Sequence, residues 1–339
     1  DGIYLASGNF TVQGNTIGAS TGTDSIVLTA TNAAATATIS GGVVTGISIV
    51  GGGSGFITAP AITFSTAGNT TNAVATATLT GGVVTGYTLT NGGSGYTSAP
   101  SVNFNAAVYA TSHGIRHLTT GAVTMDNNTI GAITTNGTTT YSHCFESIVV
   151  SGVSAAVTIK NNLIGSLSTA NSIKTASTAP TALFKQDLRG IYINSAVTVA
   201  TLTGNTIANL TNSYTGTQIA KTDGICTSGG SNIIQNNTIR DLKASTNGVT
   251  VRGIQQNVLT AGTTQTITGN SIYNLSNTHA TAAVIVIGID YSGPTSGTSS
   301  VSGNFIHSLT ASSSNILSEL DGIVLGGGVV TVANNIINL

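Results

Sequence analysis

A nine-position pattern, an apolar residue then x-[Gly/Asn]-Asn-x-Ile-x-x-Leu, recurs eight times in this 339-residue chain. The copies centre on Asn15, Asn128, Asn162, Asn205, Asn237, Asn270, Asn304 and Asn335. Three residues before each Asn stands an apolar side chain, as in Leu202, and two after it stands Ile, as in Ile207. Five after it comes Leu or Ile in six copies (Ile133, Leu167, Leu210, Leu242, Leu275, Leu309), with Ser20 there in the first. A second landmark, Gly-Ile or Ser-Ile, precedes each Asn by 13 to 17 residues, from Gly2-Ile3 to Gly322-Ile323. A fixed pattern at a period of 31 to 43 residues marks a chain of stacked repeats, with one long first gap of 113.

The phase of the apolar residues predicts where each repeat bends. Same-face residues of a straight strand are two apart. Leu202 and Ile207 are five apart, and Leu188 and Ile191 three apart, so both landmarks read as corners between short strands. Gly and Asn suit corners because they tolerate positive φ. Short strands with fixed corners and a long period predict an all-β parallel β-helix of about eight coils. Coils stack at about 4.8 Å, so eight make a rod about 38 Å long. Ile and Leu columns then form a dry core, and the Asn column becomes an amide ladder. An inward amide left unpaired would cost about 1–3 kcal/mol.

Leu202-Thr-Gly-Asn-Thr-Ile207 and Ile234-Gln-Asn-Asn-Thr-Ile239 resemble the right-handed, pectate-lyase-like β-helices over residues 1–27 and 107–339. That resemblance implies a fold and leaves activity open, because the family includes lyases, hydrolases, tailspikes and adhesins.

Inside the long gap lies another repeat, of period 40: Ala35-Thr-Ala-Thr-Ile-Ser40 matches Ala75-Thr-Ala-Thr-Leu-Thr80, and Gly41-Gly-Val-Val-Thr-Gly46 matches Gly81-Gly-Val-Val-Thr-Gly86. Alternation around Gly-Gly predicts hairpins with type I′ turns. The expected organisation is a first coil in 1–28, an inserted pair of 40-residue β-hairpin units in 29–106, and the remaining coils in 107–339. The other reading makes the two units divergent coils. The Gly-Gly-x-Val-Thr-Gly and Gly-Gly-Ser-Gly-Tyr strings resemble repeats of bacterial surface and phage fibre proteins.

Nine Lys or Arg balance ten Asp or Glu, with none between Ser25 and Ser112. A nucleic-acid partner would need a basic stripe. No apolar run approaches the ~20 residues of a membrane span. The hydroxyl-rich, Lys-poor composition points to an extracellular or cell-surface protein. Both ends fall inside coil motifs, so we expect a segment of a longer protein whose signal and anchor lie elsewhere. Cys144 and Cys226 fall two coils apart, about 10 Å, too far for a disulfide, and should be reduced.

The residues before the Gly-Ile landmark (Asp1, His113, Glu146, Arg189, Asp223, Arg252, Ile287, Asp321) should stack as one outward column. Glu146, Arg189, Asp223 and Arg252 alternate in sign, which predicts an exposed ladder of ion pairs, each worth about 0–1 kcal/mol. The competing reading makes Glu146 and Asp223 the acid and base of a glycosidase, about 10 Å apart. Arg189 between them would depress both pKa values, whereas a general acid needs a raised one. Asp187 to Arg189 is the one dense charged spot and reads as a solvated loop. His113 and His117 flank Arg116 and read as surface residues, not a metal pair. Gly51 to Gly55 and Gly326 to Gly328 lack the Lys-Ser/Thr and helix of a phosphate loop. The enzyme signatures that the β-helix resemblance would imply are missing: no Asp-Asp occurs, and Ser112-His113-Gly114 is the nearest string to Gly-His-Gly. No catalytic, cofactor or metal site is expected.

The expected function is therefore a non-enzymatic rod or spacer. Its repeats resemble giant bacterial surface adhesins, such as the gliding-motility adhesins of Bacteroidota, which implies neighbouring domains, a type IX secretion or anchoring machinery and surface polysaccharide as partners. Binding would use the arms Leu167 to Arg189 and 29–105. Phe56, Tyr87, Tyr96 and Tyr109 could stack on sugars, although packing within the insert is the expected use. The rival functions are a polysaccharide lyase or glycoside hydrolase, and a phage tail fibre or tailspike.

Overall fold

The structure is a computed structural model describing the whole chain except residues 30, 57, 106–107, 119, 138–140, 154–155, 179–185, 195–196 and 217–218. Three parallel sheets run along it, each with a path of eight strands, one from each coil, and the third carries five further strands off that path. The first joins Ile3–Leu5 through to Glu319–Gly327, the second Phe10–Gln13 to Thr331–Ala333, and the third Thr16–Gly18 to Ile336–Asn338. Within them the motifs are in register: Ile207 pairs with Ile239, Leu202 with Ile234, and Ile191 with Ile225. This is an all-β parallel β-helix.

Local chemistry explains the corner before each strand of the third sheet. The residue preceding each motif Asn has positive φ, between 53° at Asn127 and 67° at Gly14, so only Gly or Asn occurs there. The Asn that follows turns inward and is buried from Asn128 to Asn304. The Asn205 amide donates to Asn237 Oδ1 (3.0 Å) and to the Ile159 carbonyl (2.9 Å). Its Oδ1 accepts from the backbone N–H (3.1 Å) and Nδ2 (2.9 Å) of Asn162. The same exchange links Asn15 to Asn128 (2.9 Å) and, at the other end, Asn304 to Asn335 (2.9 Å).

Two positions of the Leu column differ from expectation. Leu167 is 60% exposed, and Ile173 occupies its core slot, paired with Ile133 and Leu210. Likewise Ile26, not Ser20, pairs with Ile133. In both coils the corner carries six extra residues before the column resumes. The two enlarged corners meet over the coil between them, where the Gly22 N–H donates to Thr169 Oγ1 (3.1 Å).

Residues from Ala34 to Asn105 form a separate six-stranded antiparallel sheet with its own apolar cluster around Val44, Phe64, Val84 and Phe104. Hairpins Ala34–Ser40/Val43–Gly51 and Val74–Thr80/Val83–Asn91 turn at Gly41-Gly42 and Gly81-Gly82, all with positive φ, as a type I′ turn requires. The antiparallel pairing excludes divergent coils. The third strand of each unit leaves its own hairpin. Ser101–Asn105 pairs with the first unit's Ala34–Ser40, and Ala61–Phe64 pairs with the second unit's Val74–Thr80. At the centre these two strands pair with each other, Thr63 opposite Asn103. Outer strands then bond across: Val44 N–H to the Gly92 carbonyl and Val84 N–H to the Gly52 carbonyl, both 2.9 Å. Ser101–Thr36 maps onto Ala61–Thr76, Val102–Phe64 onto Phe104–Ile62, and Val44–Gly92 onto Val84–Gly52 when 40 is added to or taken from the residue numbers, so the two units are related by an approximate local two-fold axis.

Candidate functional site

The densest chemistry lies along the first sheet, beside the Gly-Ile bend. A Cβ on Gly114 would sit 2.5 Å from the Ser147 carbonyl oxygen and 2.9 Å from Ile130 Cδ1, so this inward position accepts almost no side chain. The bend brings two outward columns together: the residue before Gly-Ile and the residue after it. Arg252 reaches Asp290 across them (3.0 Å), and the Arg189 guanidinium lies over the Tyr192 ring at 4.3 Å.

One chain of polar and ionic contacts runs through seven coils. His113 Nδ1 meets Asp1 Oδ1 (2.7 Å) and its Nε2 meets Glu146 Oε2 (3.3 Å). Arg189 bonds Glu146 (2.6 Å) and Asp187 (2.9 Å), and lies 3.6 Å from Asp223. Arg252 Nε donates to Asp223 Oδ1 at 2.8 Å. The expected exposed ladder is instead a packed seam: Glu146 is 7% exposed, Asp223 0% and Arg252 6%. Strand alternation correctly turned these side chains away from the core. It could not show that the bend folds the outer face onto itself. Asp187 is not in a solvated loop either; its buried carboxylate pairs with Arg189 and accepts the Lys221 N–H (3.1 Å).

Burial pushes the Glu146 carboxyl upward, but the hydrogen bond from His113 and the Arg189 charge outweigh it, leaving the pKa below the ordinary value. Burial would likewise lower the Arg189 pKa, yet Asp187, Asp223 and Glu146 hold it above normal. At Glu146 the balance favours the carboxylate, whereas a general acid needs a raised pKa.

His117 is not a surface residue: it points into the core with 0% exposure, and burial lowers its pKa. His113 lies in the seam, so the two imidazoles do not converge. Among the described residues no three His, Cys, Asp or Glu side chains group as a metal site. Sequence reading missed His143, whose Nε2 lies 2.7 Å from Ser112 Oγ in a buried position that lowers its pKa to about 4. Its alternation in the strand was visible, but its burial depended on the arm carrying Gln186, which bonds the His143 carbonyl (2.7 Å). Phe56 and Tyr96 are buried in the inserted sheet, and the Tyr87 hydroxyl accepts the Ile47 N–H (3.0 Å). The Tyr109 side chain and residues 179–185 of the Leu167 to Arg189 arm lie outside the described residues. Cys144 and Cys226 are in no disulfide, and burial pushes the Cys226 thiol up to about 12.

These groups give the rod a signed pH dependence. His143 is neutral when folded and titrates near 6.5 when unfolded, so its contribution is lost as pH falls from 6.5 to about 4. The loss is about 3 kcal/mol. Glu146 contributes stability above its unfolded value of 4.5, lost as pH falls through its lower folded value. Urea midpoints should therefore fall in two stages, and His143→Gln should shrink the first without removing the share that buried His117 contributes, leaving the second unchanged.

No protein-family model and no curated protein matches the chain. A solved structure that it resembles distantly is the tailspike protein gp49 from Pseudomonas phage LKA1, with 11% identity, a TM-score of 0.18, and coverage of 98% of this chain and 70% of that one. Among the described residues no helix is long and apolar enough to cross a membrane.

Proposed function

We propose that this chain is a non-enzymatic rod or spacer in an extracellular bacterial surface protein, similar to the secreted gliding-motility adhesins, holding contact surfaces away from the cell. The observation carrying this reading is the unbroken stacking: one amide ladder spans all eight coils, and the seam on the outer face of the first sheet engages the carboxylates a glycosidase would use. Parallel coils give stiffness because each strand is bonded on both sides. The purified chain should release neither new reducing ends nor unsaturated products from polyuronides or neutral glycans. Robust turnover would replace this reading with that of a lyase or hydrolase. A solution mass of three chains would favour a tailspike.

A further inference from the structure

Where the arms of the last four coils enter the first sheet, two short outward columns lie side by side. In one, Lys221, Thr250, Ile285 and Glu319 pair in register from coil to coil. Continuing that register two residues towards the arms places Ile219, Gly248, Ala283 and Leu317 in the other. The second column is bulky at its ends and small in its middle. Ile219 is 67% exposed and Leu317 70%, while Gly248 and Ala283 leave a notch of about 250 Å³, lined also by Thr250 and Ile285. Contiguous exposed apolar side chains beside a notch mark a contact surface.

Charge selects the partner. Lys221 and Glu319 end their column, three rungs or about 14 Å apart. Neither has an ion-pair partner among the described residues. One positive and one negative charge about an apolar centre make the patch complementary to itself. A second copy, turned antiparallel about a two-fold axis between Thr250 and Ile285, brings its Glu319 to Lys221 and its Lys221 to Glu319. The same rotation sets Ile219 against Leu317 of the second copy, and Ile285 against Thr250 of the second copy, beside the space that Gly248 leaves there. Such a contact is isologous and closes at two chains. Parallel rods sharing this column would instead oppose Lys221 to Lys221 and Glu319 to Glu319, which is unfavourable.

We propose that this patch pairs two copies of the chain as antiparallel rods, through reciprocal Lys221–Glu319 contacts around an apolar centre. Rods paired this way point in opposite directions, as rods projecting from two facing surfaces do; that consequence rests on the adhesive reading above, and the pairing itself does not. A patch of four coils belongs with small, transient interfaces, so the dissociation constant should be about 0.1 mM. Sedimentation equilibrium of the intact chain should give the mass of one chain at about 1 µM and approach that of two at about 1 mM. Glu319→Lys and Lys221→Glu should each weaken association at least ~tenfold, because each opposes like charges twice per dimer. The double variant should restore it. Glu319 is exposed, so its reversal leaves the fold intact and decides whether the patch is used. Equal melting temperatures will confirm folding of the other variants. The mass of one chain at 1 mM, or of three, would overturn the pairing. Association unchanged by Glu319→Lys would overturn the patch, and failure of the folded double variant to restore it would overturn the antiparallel arrangement. Glycan turnover, by contrast, bears on the adhesive reading alone.

Discussion

Deleting residues 66–105 should turn the chain into a dimer. The deletion removes one 40-residue unit and leaves Ala61–Phe64 without the partners it has now, since that strand pairs only with the second unit. The remaining unit cannot close its own sheet, and its unpaired strands and opened apolar cluster invite an identical copy. The local two-fold predicts the new interface: Thr63, now opposite Asn103, would face Thr63 of the other chain. Directly opposed antiparallel residues have Cα atoms about 4.5–5.5 Å apart, within disulfide range. The deletion variant carrying Thr63→Cys should therefore form a covalent dimer on mild oxidation. Light scattering should report twice the mass of one chain. A deletion variant with the mass of one chain and an intact hairpin would show that a single unit closes unaided.

Arg189→Leu should be among the most destabilising single substitutions. It leaves Glu146 and Asp187 without their shared guanidinium and removes one of two cations beside the fully buried Asp223. Breaking a buried ionic group from one side costs about 3–5 kcal/mol, because the remaining charges stay desolvated. Lys160→Ala provides the contrast: Lys160 is 39% exposed and its pair with Asp126 is 3.4 Å long. Exposed pairs contribute about 0–1 kcal/mol. Urea unfolding of the two variants should separate clearly. Equal, small losses would mean that water reaches the seam.

Much of the rod was legible because its signals are local. Positive φ favours Gly or Asn before each motif Asn, and the Asn-to-Ile spacing fixes which side chains face inward. The same logic failed at Leu167, where six extra residues moved the core slot to Ile173 without altering the apparent motif. It also failed at Asp223, because alternation states which face a residue takes and says nothing of what folds over that face. The exchange of strands between the two hairpin units was illegible for a related reason. Both units present identical edges, and the choice between pairing within or across units belongs to tertiary geometry. Tyr273, Phe305 and His307 lie on columns the motif leaves free, so no pattern marked their stacking.

Spin-label distances test the coil account most directly. Asp126, Lys160, Thr203, Gln235, Thr268 and Ser302 form one outward column of the second sheet, each paired in register with the next. Labels at Asp126→Cys and Thr268→Cys should lie about 19 Å apart, four rungs at ~4.8 Å each. Moving the second label to Ser302→Cys should add about 5 Å, although 34 residues of chain intervene. An increment much larger than one rung, or a broad distribution at either pair, would contradict in-register stacking.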